Sequence, residues 1–320
     1  MEPLSDLIRK LGSEDYFERQ RAAWRLVETG VEAVEPLLAA LERDPDPRAR
    51  FKAAWALGKI GDRRAVLAIA RALIEDEDPS VREWAASSLE AIGDLQAVPA
   101  LARSLASDKS GDVRLRSSLA LVALGASEAF AELLEEGDPD TKRMAVVGLG
   151  RLRCTESMGM VASFIEDDDP ELRRRVVWSL GEMRAPESLP LLSPATKDES
   201  HVVKMAAAKA IATIGGHEAC RMAQSLLEDE HPQVRLSAVA ALGEIGLADA
   251  LDRLVDVIFG DDEEEIRAWA AWSLGEIGDP RAIEHLQEAC VKGPPAVREK
   301  ALDSLEEVFG IGGGDRNDEA

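Results

Sequence analysis

The chain is 320 residues long and 46% hydrophobic, but only 4% of its residues are aromatic. This composition is sufficient for a large buried core made mainly of small and aliphatic side chains. The 61 acidic residues outnumber the 38 Lys and Arg residues, so the formal charge is −23 at pH 7. That charge disfavours non-specific binding to nucleic acid or to an anionic membrane, and we expect neither as a partner.

The sequence shows neither an apolar run of membrane-spanning length nor a leader with a basic start and an apolar centre. Its three cysteines, Cys154, Cys220 and Cys290, are odd in number and far apart in the sequence. This pattern favours reduced thiols over a disulfide framework. We therefore expect a cytoplasmic protein.

The first predicted element lies in residues 1–12, where Leu4, Leu7, Ile8 and Leu11 have helical spacing. It is interpreted as a half-repeat that covers the first full unit. From there on, one pattern returns ten times at intervals of 28 to 32 residues, always with a basic residue at the same place. The aligned residues are Arg19, Arg50, Arg82, Arg114, Lys142, Arg173, Lys204, Arg235, Arg267 and Arg298.

Each copy predicts a helix, a turn and a second helix. One such pair cannot cover its own apolar face, so successive copies must stack. When the residue before the basic one is numbered 0, positions 0, 4, 8 and 11 fall on one stripe, which is the predicted core. In residues 266–279 these positions hold Ile266, Ala270, Leu274 and Ile277, and Gly278 at position 12 ends the helix. The sequence therefore predicts an all-α fold, an α-solenoid (superhelix).

The middle of the chain departs from the ideal pattern. The interval from Arg114 to Lys142 is the shortest, and Pro190 and Pro194 should interrupt a helix. The regular pattern then returns, and the helix predicted over 296–309 carries acidic residues where earlier copies are neutral, as a terminal cap would. We expect 1–309 to be a single solenoid domain and 310–320 to be a disordered tail.

The repeated run Val-Arg-x-x-Ala-Ala-x-x-Leu-Gly-x-Ile-Gly-Asp resembles the HEAT-like repeat of phycobilisome bilin lyases, and the resemblance covers nearly the whole chain. It implies about ten HEAT-like helical hairpins, with the Arg-bearing helix of each hairpin lining a concave groove. The repeat serves several functions, so the resemblance shows fold more than activity. It also implies an alternative function, a bilin-lyase-like chaperone or lyase that cradles a tetrapyrrole with propionate groups.

Deoxyhypusine hydroxylase has a similar repeat and places His-Glu dyads at positions 2 and 3 to hold iron. Here those positions hold residues such as Glu83-Trp84, Arg174-Arg175 and Ala268-Trp269, so this resemblance gives the weakest alternative. We predict no catalytic residues, no metal site and no cofactor. The sequence favours a non-catalytic protein–protein interaction scaffold over an enzyme.

Positions 2, 6 and 9 point away from the core stripe and are predicted to face the groove, with position 3 at its shoulder. All six tryptophans fall at position 3 or 6. The predicted partner-binding groove consists of Trp24, Phe51, Trp55, Trp84, Arg116, Leu119, Arg143, Arg174, Arg175, Trp178, Trp269 and Trp272. Two interpretations of the tryptophans stay open, namely packing between adjacent helices or anchoring of a partner.

The arginines fall into two groups. Arg143, Arg174 and Arg175 are predicted to bind an acidic segment of a partner protein or a carboxylate-bearing ligand, unless they pair with the acidic turn nearby. The recurrent arginine at position 1 is predicted to be structural, because it lies beside Asp-rich turns and can form a two-pronged contact with a carboxylate. This Arg–Asp ladder consists of Arg50, Arg82, Arg114, Arg173, Arg235, Arg267 and Arg298.

Overall fold

The structure, a computed structural model, describes residues 2–261 and 263–311. These residues form twenty α-helices joined by turns and short 3-10 segments, with no β-strand among them. The all-α solenoid fold predicted from the repeat is confirmed. Most of the predicted tail, residues 312–320, lies outside the described residues.

The chain divides into two compact units, of which the first is Met1–Leu152. Its helices, in chain order, are α1 (Leu4–Lys10), α2 (Tyr16–Thr29), α3 (Val34–Arg43), α4 (Pro47–Ile60), α5 (Val66–Glu75), α6 (Pro79–Ile92), α7 (Val98–Ser107), α8 (Gly111–Ala123), α9 (Ser127–Glu136) and α10 (Pro139–Arg151). The even-numbered helices carry the repeated basic residue and are called the Arg-bearing helices. They pack side by side in one layer, and the odd-numbered helices form the other layer.

The second unit, Arg153–Ala320, has the same two-layer arrangement within itself. Its helices are α11 (Met158–Ala162), α12 (Pro170–Glu182), α13 (Ser188–Leu192), α14 (His201–Ile214), α15 (Gly216–Ser225), α16 (Pro232–Ile245), α17 (Leu251–Gly260), α18 (Glu264–Ile277), α19 (Ala282–Lys292) and α20 (Pro295–Glu307). Helix α13 is short because Pro190 and Pro194 interrupt it, and a 3-10 segment, Pro194–Lys197, follows.

The core stripe of the Arg-bearing helices lies where the repeat places it. In α18, Ile266, Ala270 and Leu274 are buried, whereas Ile277 at position 11 is half-buried. Gly278 ends this helix with a φ of 67°. Arg153 and Arg184 occupy the same position in their copies and adopt φ values of 51° and 52°, which glycine would adopt without steric strain.

The residues at position 9 of the repeat are not exposed as the sequence predicts. Gly58 and Gly243 occupy it in α4 and α16, and both are buried between neighbouring Arg-bearing helices instead of facing a groove. A Cβ atom on Gly58 would lie 2.7 Å from the Cβ of Ser88 on α6. A helical wheel of one isolated helix misses this contact, because each Arg-bearing helix has neighbours in its own layer as well as a hairpin partner.

A series of partly buried ion pairs links the Arg-bearing helices to the turns beside them. Arg82 is typical, because its Nε and Nη2 donate to both carboxylate oxygens of Asp108, at 2.7 and 2.9 Å. Its Nη1 donates to the carbonyls of Asp76 and Glu77 in the preceding turn, so one side chain ties together two turns. The same fork joins Arg50 to Asp76, Arg173 to Asp198, and Arg235 to Asp261, while Lys204 makes one contact with Asp229.

Three predicted members of this ladder differ from the rest. Arg114 donates to the carbonyl of Asp108, Arg267 to that of Ile258 and Arg298 to that of Gly293. Within residues 2–261 and 263–311, none of the three has a hydrogen-bonded carboxylate. The repeat predicts an Asp partner for each of these arginines, and this prediction is wrong, because each donates to a backbone carbonyl instead.

Turn length explains two of these differences. The turn that would supply the partner of Arg114 is Gly137-Asp138, and the one for Arg267 is Gly293-Pro294, whereas the regular turns have three residues. The residue at the partner position is glycine in both, and a Cβ there would collide with a carbonyl oxygen of the preceding helix. Arg298 lies in the last described helix, so no later turn among the described residues can supply a partner.

Candidate partner-binding face

The first unit brings four of the predicted aromatic residues together in two ring pairs. Trp24 of α2 meets Trp55 of α4 edge to face, with ring centroids 5.0 Å apart. Phe51 of α4 stacks on Trp84 of α6, with centroids 6.5 Å apart and planes inclined by 20°. The pairs connect successive Arg-bearing helices, yet Trp24 stays 52% exposed and Trp84 38% exposed. Trp24 and Trp84 therefore pack against a neighbouring ring and still expose part of their own surface to solvent.

A lysine that was not among the predicted site residues lies within this aromatic group. Lys52 is only 7% exposed, and its Nζ lies 5.4 Å from the ring centre of Phe51 and 5.5 Å from that of Trp55. The ammonium donates to Oε1 of Gln20 at 2.8 Å. Burial, together with repulsion from Arg19, lowers the pKa of Lys52. The sequence signal was available, because Lys52 at position 3 lies between aromatic residues at positions 2 and 6.

The remaining predicted residues of the first unit are Arg116 and Leu119 on α8 and Arg143 on α10. Leu119 is half-buried, and the Arg116 guanidinium lies 3.9 Å from a carboxylate oxygen of Glu83 on α6. Arg143 Nη1 donates to Asp140 one helical turn earlier, at 2.6 Å. Both arginines therefore have a carboxylate neighbour in the chain itself.

In the second unit, the two predicted arginines of α12 share one carboxylate. Arg174 donates to both oxygens of Glu171, at 2.8 and 2.7 Å, and Arg175 Nε donates to one of them at 2.7 Å. The hydrogen bond from Arg174 lowers the pKa of Glu171 to about 2; burial opposes this shift, and Arg175 reinforces it. Pairing with the adjacent acidic residue, the alternative kept open from the sequence, is the arrangement seen here.

Trp178, on the same helix, is half-buried. Trp269 and Trp272 on α18 form the third ring pair, edge to face, with centroids 5.1 Å apart. They line a cleft of about 420 Å³ between α18 and α20, and Trp269 stays 41% exposed. The other lining residues are Glu264, Glu265, Ala268, Ala296, Glu299 and Lys300. The acidic residues of this cleft were not among the predicted site residues. Glu264 and Glu265 lie at the start of α18, before the repeat positions used to define the groove, whereas Glu299 occupies position 2 of α20, a position that the sequence does assign to the groove.

The described residues contain no group of three or more His, Cys, Asp or Glu side chains that could hold a metal ion. Within the same part of the chain, no helix is both long enough and apolar enough to cross a membrane. The three cysteines are free thiols, with Cys220 buried and Cys154 and Cys290 half-buried.

Several solved structures have a similar fold. The karyopherin Kap121p bound to the SUMO protease Ulp1p is 14% identical, with a TM-score of 0.67 over 95% of this chain and 41% of Kap121p. Kap95p, in a structure of its binding to RanGDP, is 16% identical, with a TM-score of 0.59 over 97% of this chain and 49% of Kap95p. Importin beta is 14% identical, with a TM-score of 0.58 over 98% of this chain and 52% of importin beta.

The chain thus spans about half or less of the length of these three proteins, and likeness at such low identity shows the fold alone. A search of curated proteins finds no match. The family model for HEAT repeats matches residues 2–70, 34–122, 127–212, 160–227 and 221–306. Since these matches cover nearly all of its length, the chain belongs to the family of HEAT-repeat proteins.

Proposed function

We propose that this protein is a non-catalytic interaction scaffold that binds a partner protein on the tryptophan-bearing surfaces of the Arg-bearing helices in each of its two units. The observation that carries the proposal is the exposure of Trp24, Trp84 and Trp269, each of which keeps more than a third of its surface in water although its ring belongs to a ring pair or lies against one. Exposed aromatic side chains held in fixed positions are the usual anchors of protein interfaces.

The helices that carry these rings support the same proposal. Arg82 and its equivalents tie the turns together, and each Arg-bearing helix packs on neighbours in both layers. A surface that is ordered before binding loses less conformational entropy when the partner arrives. The solved relatives Kap121p and Kap95p, whose structures involve Ulp1p and RanGDP, offer a parallel for a HEAT-repeat fold that binds proteins.

The sequence also predicts that the partner segment is acidic. The ion pairs that the predicted arginines already make within the chain argue against this. Such a segment would meet Arg143, Arg174 and Arg175, but Asp140 and Glu171 already lie against these guanidinium groups. Binding would exchange one carboxylate for another at a partly exposed site, where a single ion pair contributes about 0–1 kcal/mol. We therefore assign the anchoring to the indole rings instead of to these arginines.

The tetrapyrrole-binding alternative implied by the resemblance to bilin lyases has weaker support. The cleft beside Trp269 and Trp272 carries three glutamates, which would repel the propionate groups of a tetrapyrrole. A visible absorption band in the purified protein would revive this alternative, and iron found by elemental analysis would revive the hydroxylase one. The cytoplasmic location also stays a prediction, with which three free thiols are compatible.

The experiment that tests the proposal is affinity capture of partners from the source cells, quantified by mass spectrometry. The triple variant Trp24→Ala/Trp84→Ala/Trp269→Ala should lose most of the partner recovered by the wild type, because several anchors are removed together. The control variant Leu67→Ala/Val291→Ala removes apolar side chains of α5 and α19 that are more exposed than any of these tryptophans.

The control should leave partner recovery unchanged, since both residues lie on the other layer of helices. If the triple tryptophan variant captured as much partner as the wild type does, the proposed binding surface would be wrong. Thermal unfolding of each variant has to stay within a few degrees of the wild type, which these exposed positions allow.

A further inference from the structure

The cleft between α18 and α20 has small residues at its base and aromatic rings at its side. Ala268, which is 6% exposed, and Ala296 leave space between the helices, and the perpendicular rings of Trp269 and Trp272 line that space. A volume of about 420 Å³ is enough for one long amino-acid side chain and its contacts. The rings therefore do not fill the gap between these helices.

The charges around the cleft are predominantly negative. Three of its lining residues are glutamates and one, Lys300, is a lysine whose Nζ lies 3.6 Å from Asp303. Glu264 has a defined position, because its Oε1 accepts a hydrogen bond from the backbone N–H of Ala296 across the cleft, at 3.1 Å. Glu265 and Glu299 have no ion pair within residues 2–261 and 263–311. An aromatic pair bordered by carboxylates attracts a cation.

The chain itself shows that a pair of aromatic rings on an Arg-bearing helix accepts an ammonium group. Of the rings compared, Trp55 and Trp272 occupy the same repeat position, position 6. In α4, Phe51, Lys52 and Trp55 occupy positions 2, 3 and 6, and the Lys52 Nζ lies within 5.5 Å of both ring centres. In α18 the same three positions hold Ala268, Trp269 and Trp272, so α18 supplies no lysine to its own rings. The one lysine that lines the cleft, Lys300, belongs to α20, and its ammonium lies beside Asp303.

We propose that the cleft of Trp269 and Trp272 binds a lysine side chain from a basic segment of a partner protein. The indole rings would contact the ammonium group and the methylene stem, and Glu265 and Glu299 would neutralise the charge. This inference rests on the proposed scaffold function and adds the chemistry of one contact. A basic partner segment is opposite in charge to the acidic segment that Arg143, Arg174 and Arg175 suggest from the sequence alone.

The test uses the full-length protein and dye-labelled synthetic peptides that are identical except for one central residue. The probes carry lysine, the uncharged isostere norleucine, or glutamate, and binding is followed by fluorescence anisotropy at two salt concentrations. The lysine peptide should bind at least several-fold more tightly than the norleucine peptide, and more weakly at higher salt. The Trp269→Ala variant should weaken its binding roughly 3- to 30-fold, as expected for loss of one cation–π contact.

Glu299→Gln provides the charge test, and Glu276→Gln is its matched control. Both substitutions remove one negative charge from an exposed glutamate in the second unit, but Glu276 of α18 does not line the cleft. Glu299→Gln should weaken lysine-peptide binding at least ~3-fold, and Glu276→Gln less than ~2-fold. Trp269→Phe keeps an aromatic ring and should retain most of the binding, which separates loss of the contact from misfolding.

Three results would overturn the inference: equal binding of the lysine and norleucine peptides, equal weakening by both glutamate substitutions, or a protein dimer that Trp269→Ala abolishes. The last result would show that a second copy of the chain occupies the cleft. If the peptides fail but the triple tryptophan variant still loses its captured partner, only the lysine contact is wrong. If that variant keeps its partner as well, the scaffold proposal is wrong too.

Discussion

A glycine in α4 lets that helix approach α6 closely. Gly58 faces Ser88, whose hydroxyl donates to the carbonyl of Ala54 at 2.8 Å across the two helices. A methyl group at position 58 would lie 2.7 Å from the Ser88 Cβ and 2.8 Å from its Cα, so the helices must separate to admit it. Gly58→Ala is expected to lower the free energy of unfolding by about 1–3 kcal/mol through overpacking.

Chemical denaturation measures this change, and Gly260→Ala is the control. Gly260 ends α17, has no positive φ, and a Cβ there would meet nothing within 4 Å. Alanine at position 260 should be neutral or should stabilise by up to about 1 kcal/mol, because alanine forms helix more readily than glycine. If the two substitutions had the same effect, the close packing of α4 on α6 would be refuted.

The ion pairs of Glu171 predict a pH dependence. Its folded-state pKa is about 2, below the ordinary value of 4.5, so its contacts with Arg174 and Arg175 stabilise the fold above pH 4.5. This contribution is lost as the pH falls from 4.5 towards 2, because the carboxylate becomes protonated in the folded state as well. Glu171→Gln should therefore unfold at a lower temperature than the wild type at pH 7, and the gap should close on acidification.

Thermal unfolding followed by circular dichroism between pH 7 and pH 3 measures that gap. Glu182→Gln, on the same helix, removes a carboxylate that makes none of these contacts and should show little gap at any pH. A gap for Glu171→Gln that stayed constant down to pH 3 would show that its ion pairs are not formed in solution.

At the scale of the helical hairpin, the repeat allowed most of the fold to be predicted. Apolar periodicity located Ile266, Ala270 and Leu274 in the core, because each hairpin must bury one stripe against its partner. Contacts between copies were harder to predict. The burial of Gly58 depends on the neighbouring helix of the same layer, and the missing carboxylate of Arg267 depends on a turn one residue shorter.

The candidate site was predicted in part for the same reason. The spacing placed Trp24 and Trp269 away from the core, and both are exposed. It did not show that Trp24 meets Trp55, nor that Glu171 neutralises Arg174, because both depend on side-chain conformations that spacing does not determine. The cleft beside Trp269 depends on how α20 packs against α18, which the repeat spacing does not determine.

The Arg–Asp ladder gives the prediction that belongs to this scale. Arg82→Met retains an unbranched apolar stem but leaves the Asp108 carboxylate partly buried without its fork, and we expect a loss of about 3 kcal/mol in the free energy of unfolding. Arg298→Met removes only a bond to a backbone carbonyl, so about 1 kcal/mol is expected. Denaturant titration compares the two, and a double variant, Arg82→Met/Asp108→Leu, should recover most of the loss.

The recovery in the double variant is the informative result. If it were as unstable as Arg82→Met, an unpaired Asp108 would not be the cause of the loss. If Arg82→Met and Arg298→Met were equally mild, the carboxylate fork would contribute no more than a single backbone contact.

At the scale of the whole molecule, the use of aromatic residues separates core from surface. Within the described residues, Phe130 is the one aromatic side chain that is fully buried, and all six tryptophans lie outside the buried core. A chain with so few aromatic residues thus keeps its largest ones where a partner can contact them. The repeat supplies a helical framework, and in the proposed function the positions that this framework does not require to be apolar contact the partner.

We propose that a partner covers the exposed indole rings on the Arg-bearing helices of each unit. Hydroxyl-radical footprinting of the unmodified protein, alone and in complex with its captured partner, measures this directly, because no substitution disturbs the fold. We predict that Trp24, Trp84 and Trp269 are oxidised readily in the free protein and become protected in the complex, while Leu67 and Val291 react equally in both states. Unchanged oxidation of the three tryptophans together with protection of Leu67 or Val291 would contradict the account.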